Sequence, residues 1–456
     1  MSGLQASIEK MERENSPRPA IDTFRFYYEQ LDAGETGMVH ESDIEPLDDV
    51  ADSESLPEDD GGDVLDRAVV IRLNGGLGTS MGMTRAKSLL KVKEGLTFLD
   101  VIARQVLALR ERSGARLPLV LMNSFYTQTD SLAALAGYPQ LSADVPPDFL
   151  QHKEPKIRVD DLEPVSWPAD PSKEWCPPGH GDIYTALLTS GMLDTLLERG
   201  YFYAFIANSD NLGAVLDPKI LAWFAREKAS FVSEVTDRTA ADRKGGHVAR
   251  RADGGLLLRE TAQTRPEDMD AFTDIRRHRY FNCNNLWVDL RALREELSKR
   301  SGVLGLPLIV NRKTVDPGDK SSTPVYQLET AMGAAIGVFE DARALRVPRR
   351  RFTPVKTTSD LMIVRSDAFV LTGDALIEPA PHGLGHAPLV SLDDHFKLLP
   401  DFEDRVPEPP SLVACDSLSV NGDVEFGRDV TVRGDVKIAH EGQGRLRIED
   451  GSVLSG

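Results

Sequence analysis

The chain has 456 residues, 41% of them hydrophobic, and a formal net charge of −19 at pH 7. This length accommodates two or three domains, while the acidic surplus disfavours nucleic acid or an anionic membrane as a partner. No apolar run approaches the ~20 residues that span a bilayer, and the N-terminus lacks the apolar core of a secretory signal. The widely spaced Cys176, Cys283 and Cys415 argue against a disulfide framework or a zinc cluster. They favour a reducing, cytoplasmic location.

Residues 1–66 are predicted to form an N-terminal helical and acidic segment. One helix is indicated by apolar residues at helical spacing, namely Ile21, Phe24, Tyr28 and Leu31. Residues 40–66 are rich in Asp and Glu and contain few large apolar groups. We expect them to be an exposed, partly extended connection.

Strands alternate with helices from residue 68 onward. Apolar runs predict buried strands at 68–73, 117–122 and 201–207, and helices are predicted at 98–112 and 183–199. Strands separated by helices of this length indicate an α/β fold with a mainly parallel sheet. Polar residues follow each strand, at the edge where such sheets place their sites.

A glycine-rich loop follows the first strand. Residues 74–82 read Asn-Gly-Gly-Leu-Gly-Thr-Ser-Met-Gly, and Lys87 and Ser88 come five residues later. Glycines expose backbone N–H groups to an anion, so the loop is suited to phosphate. It is not a Walker A loop, because Met83 follows Gly82, and Met81 breaks the dinucleotide fingerprint. A simple turn is the alternative.

Three further positions carry chemistry suited to phosphate. His180 lies between glycines just before a helix, where backbone N–H groups attract anions. Asp210 follows the third strand and is placed to bind a divalent cation that bridges phosphates. Lys356 lies in an apolar run and offers a second cation. The plainer interpretations are a structural turn for His180 and a cap for Asp210, and Asp182 is predicted to be a helix N-cap.

No motif for covalent catalysis is visible. The chain has no G-x-S-x-G elbow, no H-E-x-x-H pair and no paired C-x-x-C. Direct phosphoryl or nucleotidyl transfer fits this set of residues, with catalysis by positioning and charge stabilisation.

The C-terminal region carries an internal repeat. Apolar residues recur every six positions in two series, Leu418, Val424, Val430 and Val436, and Val420, Phe426, Val432 and Ile438. This period indicates a short parallel β-helix, and an ordinary β-meander is the alternative. We therefore divide the chain into residues 1–66, a catalytic domain at 67–400 and a C-terminal domain at 401–456. A short solenoid cannot cover both its ends, so this domain is expected to pack on the body or on another subunit.

Six ordered segments resemble one known family. They are residues 73–88, 121–125, 149–153, 177–184, 281–287 and 348–360. Together they resemble the eukaryotic-type UTP–glucose-1-phosphate uridylyltransferases, or UDP-glucose pyrophosphorylases, from about residue 20 to the C-terminus. The resemblance implies a nucleotidyltransferase (Rossmann-like) domain with a mixed, mainly parallel sheet and a C-terminal left-handed parallel β-helix. It also implies UTP and glucose 1-phosphate as substrates, Mg²⁺ as cofactor and a possible homo-oligomer formed through the C-terminal domain.

The resemblance also implies roles for single residues. Lys87 and Lys356 would be catalytic, and Asp210 would bind Mg²⁺. The nucleotide would contact Leu73, Asn74, Gly75, Gly76, Met122, Gln151, Gly179 and Asn208, with Met122 and Gln151 at the uracil. The sugar phosphate would contact His180, Glu260 and Asn284. The alternatives are a broader UDP-sugar pyrophosphorylase and a non-catalytic nucleotide-binding scaffold, and an NAD-linked oxidoreductase is remote.

Overall fold

The structure is a computed structural model that describes residues 2–239, 242 and 245–456. Its helices are α1 Gly3–Arg13, α2 Arg18–Asp32, α3 Gly62–Leu65, α4 Phe98–Ser113, α5 Gln128–Leu135, α6 Ile183–Thr189, α7 Met192–Glu198, α8 Pro218–Glu227, α9 Met269–Thr273, α10 Leu290–Lys299, α11 Thr358–Arg365 and α12 Leu399–Arg405. None of the helices in this part of the chain is long and apolar enough to cross a membrane.

The strands belong to one large sheet, to several short ladders and to a C-terminal parallel ladder. They are β1 Ile44–Pro46, β2 Ala51–Asp52, β3 Ala68–Asn74, β4 Lys91–Lys93, β5 Leu96–Thr97, β6 Leu119–Asn123, β7 Asp148–Leu150, β8 Glu154–Pro155, β9 Ile157–Arg158, β10 Trp175–Cys176, β11 Tyr203–Asn208, β12 Phe231–Asp237, β13 His247–Arg251, β14 Leu256–Arg259, β15 Tyr280–Asp289, β16 Ile309–Thr314, β17 Pro324–Glu329, β18 Arg343–Arg346, β19 Phe369–Leu371, β20 Ile377–Pro379, β21 Leu389–Leu392, β22 Ser411–Asn421, β23 Val424–Phe426, β24 Thr431–Ala439, β25 Leu446–Ile448 and β26 Val453–Ser455.

The central sheet has the strand order β2-β18-β12-β15-β11-β3-β6-β7. Only β15 runs antiparallel to its neighbours along this path. The mixed, mainly parallel sheet predicted from the sequence is therefore confirmed. The three predicted strands are β3, β6 and β11, and they lie side by side.

The sheet is covered on both faces, which explains why β3, β6 and β11 are largely apolar. Along β11, Phe205 and Ala207 join one buried cluster, whereas Ala204 and Ile206 join the other. The first cluster also contains residues of α4 and α8, and the second contains residues of α6, α7 and α10. The sheet is thus the middle layer between two sets of helices.

The helix predicted at 183–199 is wrong in its continuity. The structure divides it into α6 and α7, with Ser190 and Gly191 between them. Gly191 has φ of 72°, a left-handed conformation that stops a right-handed helix and that glycine adopts without a steric penalty. The helix predicted at 98–112, by contrast, agrees with α4 to within one residue at its end.

The acidic segment 40–66 is more ordered than predicted. It supplies β1, which pairs with β13, and β2, which pairs with β18. Glu41 forms ion pairs with the buried Arg259 and with Arg277, each at 2.5 Å. Asp52 pairs with Arg346 at 2.7 Å. The acidic groups of this segment therefore neutralise arginines of the body.

The C-terminal strands form parallel ladders. β21, β22, β24 and β26 are neighbours in one ladder, and β23 pairs with β25 in another. Leu418 lies beside Val436, 18 residues further along the chain, which equals three of the six-residue repeats. Val420 and Phe426 belong to the same buried cluster as residues of α4 and the central sheet. The region therefore packs on the body, and the boundaries drawn at residues 66 and 400 stay predictions.

Candidate active site

The carboxyl ends of β3, β6 and β11 open into a cavity of about 300 Å³. This is the edge at which parallel sheets bind ligands. The cavity is lined by Leu73, Asn74, Gly75, Gly76, Lys87, Ser88, Met122, Gln151, Pro177, Gly179, His180, Asn208, Ser209, Asp210 and Lys356. The predicted site residues are therefore brought together here, with the exceptions of Glu260 and Asn284.

The glycine loop is shaped by a close approach of Gln151. A side chain at position 75 would place its Cβ 2.7 Å from the Gln151 amide oxygen, so only glycine lets that amide lie against the loop. The backbone N–H of Gln151 also donates to the carbonyl of Asn123 at 2.8 Å. The loop closes where the Lys87 N–H donates to the carbonyl of Gly76 at 2.9 Å. This closure brings Lys87 to the same wall of the cavity as Gly76.

Asn74 contributes its backbone to the cavity wall, whereas its side chain is already engaged. The Asn74 amide donates to Asn123 Oδ1 and to Ser131 Oγ, both at 2.7 Å. Ser124 Oγ donates to the carbonyl of Gly75 at 3.0 Å. The ends of β3 and β6 are tied together in this way, which fixes the loop that follows β3.

Asp210 holds two lysines side by side. Its Oδ2 accepts from Lys87 Nζ at 2.7 Å and from Lys356 Nζ at 2.8 Å. Burial by itself would raise the pKa of Asp210, but the charges of Lys356 and Lys87 outweigh burial and lower that pKa. The site thus carries one carboxylate and two ammonium groups, a net positive charge suited to an anionic ligand.

The loop that carries Lys356 is bound to the loop that carries Asp210. The N–H of Val355 donates to the carbonyl of Asp210 at 3.0 Å, and the N–H of Thr353 donates to Asn211 Oδ1 at 3.0 Å. Lys356 directly precedes Thr357, the N-cap of α11, and a capping box fixes the start of that helix. The backbone at Lys356 is therefore held on one side by the loop that carries Asp210 and on the other by the start of α11. This fixes where the ammonium group can lie.

A buried ion pair beneath this loop was missed by the sequence analysis. Arg351 donates to both oxygens of Glu234, at 2.5 and 3.0 Å, and both residues are buried. Glu234 also accepts from the Trp287 indole at 3.0 Å and from Asn285 at 2.9 Å. These hydrogen bonds offset the free-energy cost of removing the Glu234 carboxylate from water, which a buried charge must recover from its partners. The available signal was a glutamate between Val232 and Val235, in a segment that forms the buried β12.

His180 is held as a neutral hydrogen-bond donor. Its Nδ1 accepts from the N–H of Met332 at 2.9 Å, which leaves the proton on Nε2. Burial, with the nearby charge of Lys356, lowers the pKa of His180 to about 4. Gly179 has φ of 80°, and a Cβ there would lie 2.5 Å from the carbonyl oxygen of Thr330. Glycine is therefore needed beside this histidine for packing.

Of the two predicted residues that do not line the cavity, Asn284 lies next to it. Its amide nitrogen is 3.4 Å from Asn208 Oδ1, and its φ is 56°. Its Oδ1 is buried with no hydrogen-bond partner among the described residues. A non-glycine residue in this strained conformation with an orphaned oxygen is typical of a binding position.

Glu260 lies apart from the cavity wall. Its carboxyl accepts from the N–H of Gln263 at the start of a short 3₁₀ helix and lies against Gly246. Burial raises the pKa of Glu260 from 4.5 to about 7. The predicted contact with glucose hydroxyls stays a prediction.

The raised pKa of Glu260 has a consequence for stability. Because the folded state binds this proton more tightly, the stabilisation is present at pH 4.5 and is lost as pH rises through about 7. We expect the free energy of unfolding of the wild type to fall across this range relative to that of Glu260→Gln. Urea unfolding at a series of pH values measures the difference, and parallel curves would contradict the burial of an ionisable carboxyl.

Asp182 differs from its predicted role. It stands at the N-cap position of α6, but its side chain makes no capping hydrogen bond. Its carboxylate instead contacts His152, with Oδ1 2.7 Å from the ring Nδ1. Proximity in sequence suggested a cap, whereas the tertiary fold offers a stronger partner.

The site fits a divalent cation through one carboxylate. Oδ1 of Asp210 is buried and has no hydrogen-bond partner among the described residues. No group of three or more His, Cys, Asp or Glu side chains in the same part of the chain is arranged to hold a metal ion. Mg²⁺ binds in this way when substrate phosphates and water supply its other ligands.

Positive charge, exposed loop N–H groups and a neutral histidine donor converge at the carboxyl edge of a mainly parallel sheet. This combination binds and stabilises phosphates rather than forming a covalent intermediate. The fold and the site thus define an α/β protein of the nucleotidyltransferase class. Residues 21–433 match the family model described as UTP–glucose-1-phosphate uridylyltransferase, and the chain belongs to this family.

Curated relatives share sequence over most of the chain. The UTP–glucose-1-phosphate uridylyltransferase of Solanum tuberosum is 42% identical over 395 residues, covering 86% of this chain and 81% of the relative. The Saccharomyces cerevisiae protein of the same name is 42% identical over 391 residues, covering 86% and 77%. Both alignments therefore cover most of this chain and more than three quarters of each relative.

Solved structures show the same fold. The UDP-glucose pyrophosphorylase of Leishmania major is 44% identical, with a TM-score of 0.94 and coverage of 99% of this chain and 98% of that one. A variant of that protein in complex with UDP-glucose has a TM-score of 0.95 at 43% identity, with coverage of 99% and 98%. The Trypanosoma brucei UDP-glucose phosphorylase is 43% identical, with a TM-score of 0.92 and coverage of 99% and 98%. The similarity thus extends over nearly the whole chain.

Proposed function

We propose that this protein transfers the uridylyl group of UTP to glucose 1-phosphate, giving UDP-glucose and pyrophosphate. The observation that carries the proposal is the cluster of Lys87, Lys356 and Asp210 beside the glycine loop. Membership of the uridylyltransferase family supports the substrate pair. The family comparison does not favour a broader sugar specificity or a non-catalytic scaffold.

The reaction is a direct in-line displacement. A phosphate oxygen of glucose 1-phosphate attacks the α-phosphorus of UTP, a new P–O bond forms, and the bond to the β-phosphate oxygen breaks to release pyrophosphate. Both reactants are anionic, so the barrier contains their repulsion and the charge developing on oxygen. Lys87 and Lys356 offset this charge, and His180 donates from Nε2 to the sugar phosphate.

Mg²⁺ is the proposed cofactor, and Asp210 is the residue that would hold it. The ion supplies further charge neutralisation at the phosphates when it is bound. The buried, unpartnered Oδ1 of Asp210 supports this assignment. The two lysines remain on the other oxygen of the same carboxylate.

A pyrophosphate-release assay with UTP, Mg²⁺ and a panel of sugar 1-phosphates tests the function. Release with glucose 1-phosphate well above that with galactose or N-acetylglucosamine 1-phosphate is the expected result. Similar rates across the panel would indicate a broader UDP-sugar pyrophosphorylase. Absence of release from every sugar phosphate would contradict the proposal and favour a scaffold.

Selection of the base is assigned to Gln151. Its amide both donates and accepts, which matches the edge of uracil, and Gly75 leaves room for it at the cavity wall. We expect Gln151→Ala to reduce the preference for UTP over CTP by about 10- to 100-fold, the cost of leaving a buried polar group unpaired. The ratio of kcat/KM values for the two nucleotides measures the change.

Gln128→Ala is the matched control for this prediction. Gln128 is a nearby amide that donates to Asp148 at 2.8 Å, and it does not line the cavity. Its loss should leave the preference unchanged. Unaltered discrimination in the Gln151 variant would remove that residue from base recognition.

The C-terminal ladders support a left-handed parallel β-helix, which we propose also serves self-association. The support is the parallel pairing of β22 with β24 and the 18-residue register. Light scattering on the purified protein measures the oligomeric state.

A cytoplasmic location is also proposed, because Cys176, Cys283 and Cys415 are all free and buried.

A further inference from the structure

We propose that His152 is a positioning residue that fixes the base-binding side of the site relative to its sugar-phosphate-binding side. The inference rests on the proposed function, because it assigns the alignment of the two substrates to one buried contact. Three residues form this contact: His152, Asp182 and Thr189. They do not line the cavity, and the inference does not require any of them to contact a substrate.

Asp182 accepts twice from His152. The backbone N–H of His152 donates to Asp182 Oδ2 at 2.6 Å, and the ring Nδ1 lies 2.7 Å from Asp182 Oδ1. Side-chain exposure is 11% for His152 and 3% for Asp182, so water competes little for these bonds. The contact is therefore short, doubly bonded and almost dry.

The second ring nitrogen is also bonded. Nε2 of His152 is 2.9 Å from Thr189 Oγ1, and that hydroxyl donates its own proton to the carbonyl of Thr185 at 3.0 Å. With that proton directed to the carbonyl, Oγ1 can accept from Nε2, so each ring nitrogen has an oxygen acceptor within hydrogen-bond distance. Burial lowers the pKa of His152, but the charge and hydrogen bond of Asp182 outweigh burial and raise it above 6.5. The ring is thus held in one orientation between two helical residues.

The contact joins two segments that each carry a substrate-binding residue. On one side, His152 directly follows Gln151, which lies against the glycine loop. On the other side, Asp182 ends the 3₁₀ turn that begins at His180. A displacement of either segment is therefore transmitted to the other through the His152–Asp182 pair.

Each segment also has its own anchor. The base side is held by the hydrogen bond from Gln151 N–H to the Asn123 carbonyl. The sugar-phosphate side is held by two hydrogen bonds. The N–H of Met332 donates to Nδ1 of His180, and the N–H of Gly181 donates to the carbonyl of Thr330. Loss of the pair should leave both binding surfaces intact and disturb only their relative placement. The expected signature is a fall in kcat with little change in either KM.

Glu154 bears on the electrostatics of the pair. It is buried close to Asp182, and burial raises its pKa well above the usual value, with the charge of Asp182 adding to the effect. Glu154 carries no positive charge in either protonation state, so His152 is the residue that balances the charge of Asp182.

Two substitutions of His152 separate its two bonds. Asparagine places an amide nitrogen near the position of Nδ1 and keeps a side-chain donor for Asp182. Glutamine places one near Nε2, so its side chain keeps the contact with Thr189 and loses the one with Asp182. The backbone N–H of residue 152 still donates to Asp182 Oδ2 in both variants. We expect His152→Gln to lower kcat about tenfold or more, because misplaced reactants lose much of the benefit of alignment. KM values for UTP and glucose 1-phosphate should stay within about threefold. His152→Asn should retain most of the turnover.

The measurement is steady-state kinetics with both substrates varied, with thermal unfolding of each variant alongside. Asp182→Asn and Thr189→Val are included in case a His152 variant does not fold. Asp182→Asn should lower kcat as His152→Gln does, and Thr189→Val should have a small effect. Equal losses in His152→Asn and His152→Gln, or losses confined to KM, would overturn the inference. An inactive wild type would instead contradict the proposed function, so the two failures are distinguishable.

Discussion

Lys356→Ala is expected to lower turnover with UTP and glucose 1-phosphate by about 10²–10³-fold while UTP binding is mostly kept. Lys356 Nζ lies 2.8 Å from Asp210 Oδ2, the oxygen that also accepts from Lys87, and Lys356 directly precedes the N-cap of α11. In the proposed mechanism this ammonium group would offset charge that develops at the α-phosphate during transfer. Lys87 stays at the end of the glycine loop in the variant, so it would still bind the phosphates. Initial rates give kcat, and calorimetric titration gives the UTP affinity.

Arg350→Ala provides the control for charge removal in the same segment. Arg350 is 55% exposed and its nearest acidic partner is Glu54 at 3.5 Å, a surface contact of small energetic value. Turnover of this variant should equal that of the wild type. Turnover of Lys356→Ala within a few-fold of the wild type would contradict the proposed catalytic role of Lys356.

Asp210→Asn is expected to reduce turnover by about 10²–10³-fold and to raise the Mg²⁺ concentration needed for half-maximal rate. The substitution preserves size but removes the charge that holds Lys87 and Lys356 together. Two neighbouring ammonium groups would then repel each other and leave their positions. The variant also loses the anionic oxygen that would bind the cation. Rates over a Mg²⁺ titration measure both effects.

Asp253→Asn is the corresponding control. Asp253 is 66% exposed in a hairpin and pairs only with its neighbour Arg251 among the ion pairs of the described residues. Its Mg²⁺ dependence should match that of the wild type. An unchanged Mg²⁺ requirement in Asp210→Asn, with turnover preserved, would exclude Asp210 as the metal ligand.

Local signals in the sequence predicted the central part of the fold and the cavity. Apolar runs located β3, β6 and β11, because strands buried on both faces are made mostly of apolar residues. The polar residues after these strands then had to meet at one edge of the sheet. This reasoning placed Lys87, Asp210 and the glycines correctly without any knowledge of the tertiary contacts.

The parts that were missed depend on partners far apart along the chain. Glu234 and Arg351 neutralise each other inside the protein, and neither sequence neighbourhood reveals the other. His152 and Asp182 form the same kind of pair, and only the fold brings them within 2.7 Å. The break between α6 and α7 has only a weak local signal, because apolar residues at helical spacing continue on both sides of Gly191.

The ion pairs of Glu41 have a consequence for shortened versions of the protein. Arg259 is fully buried, and Glu41 and Asp268 are its two acidic partners among the ion pairs of the described residues. A polypeptide beginning at residue 67 would leave this guanidinium with one carboxylate at 3.3 Å and would also lose β1 and β2 from the sheet. Removing one partner of a buried charge is strongly destabilising. The first 66 residues are therefore part of the folding unit, and a catalytic fragment that omits them should not fold independently.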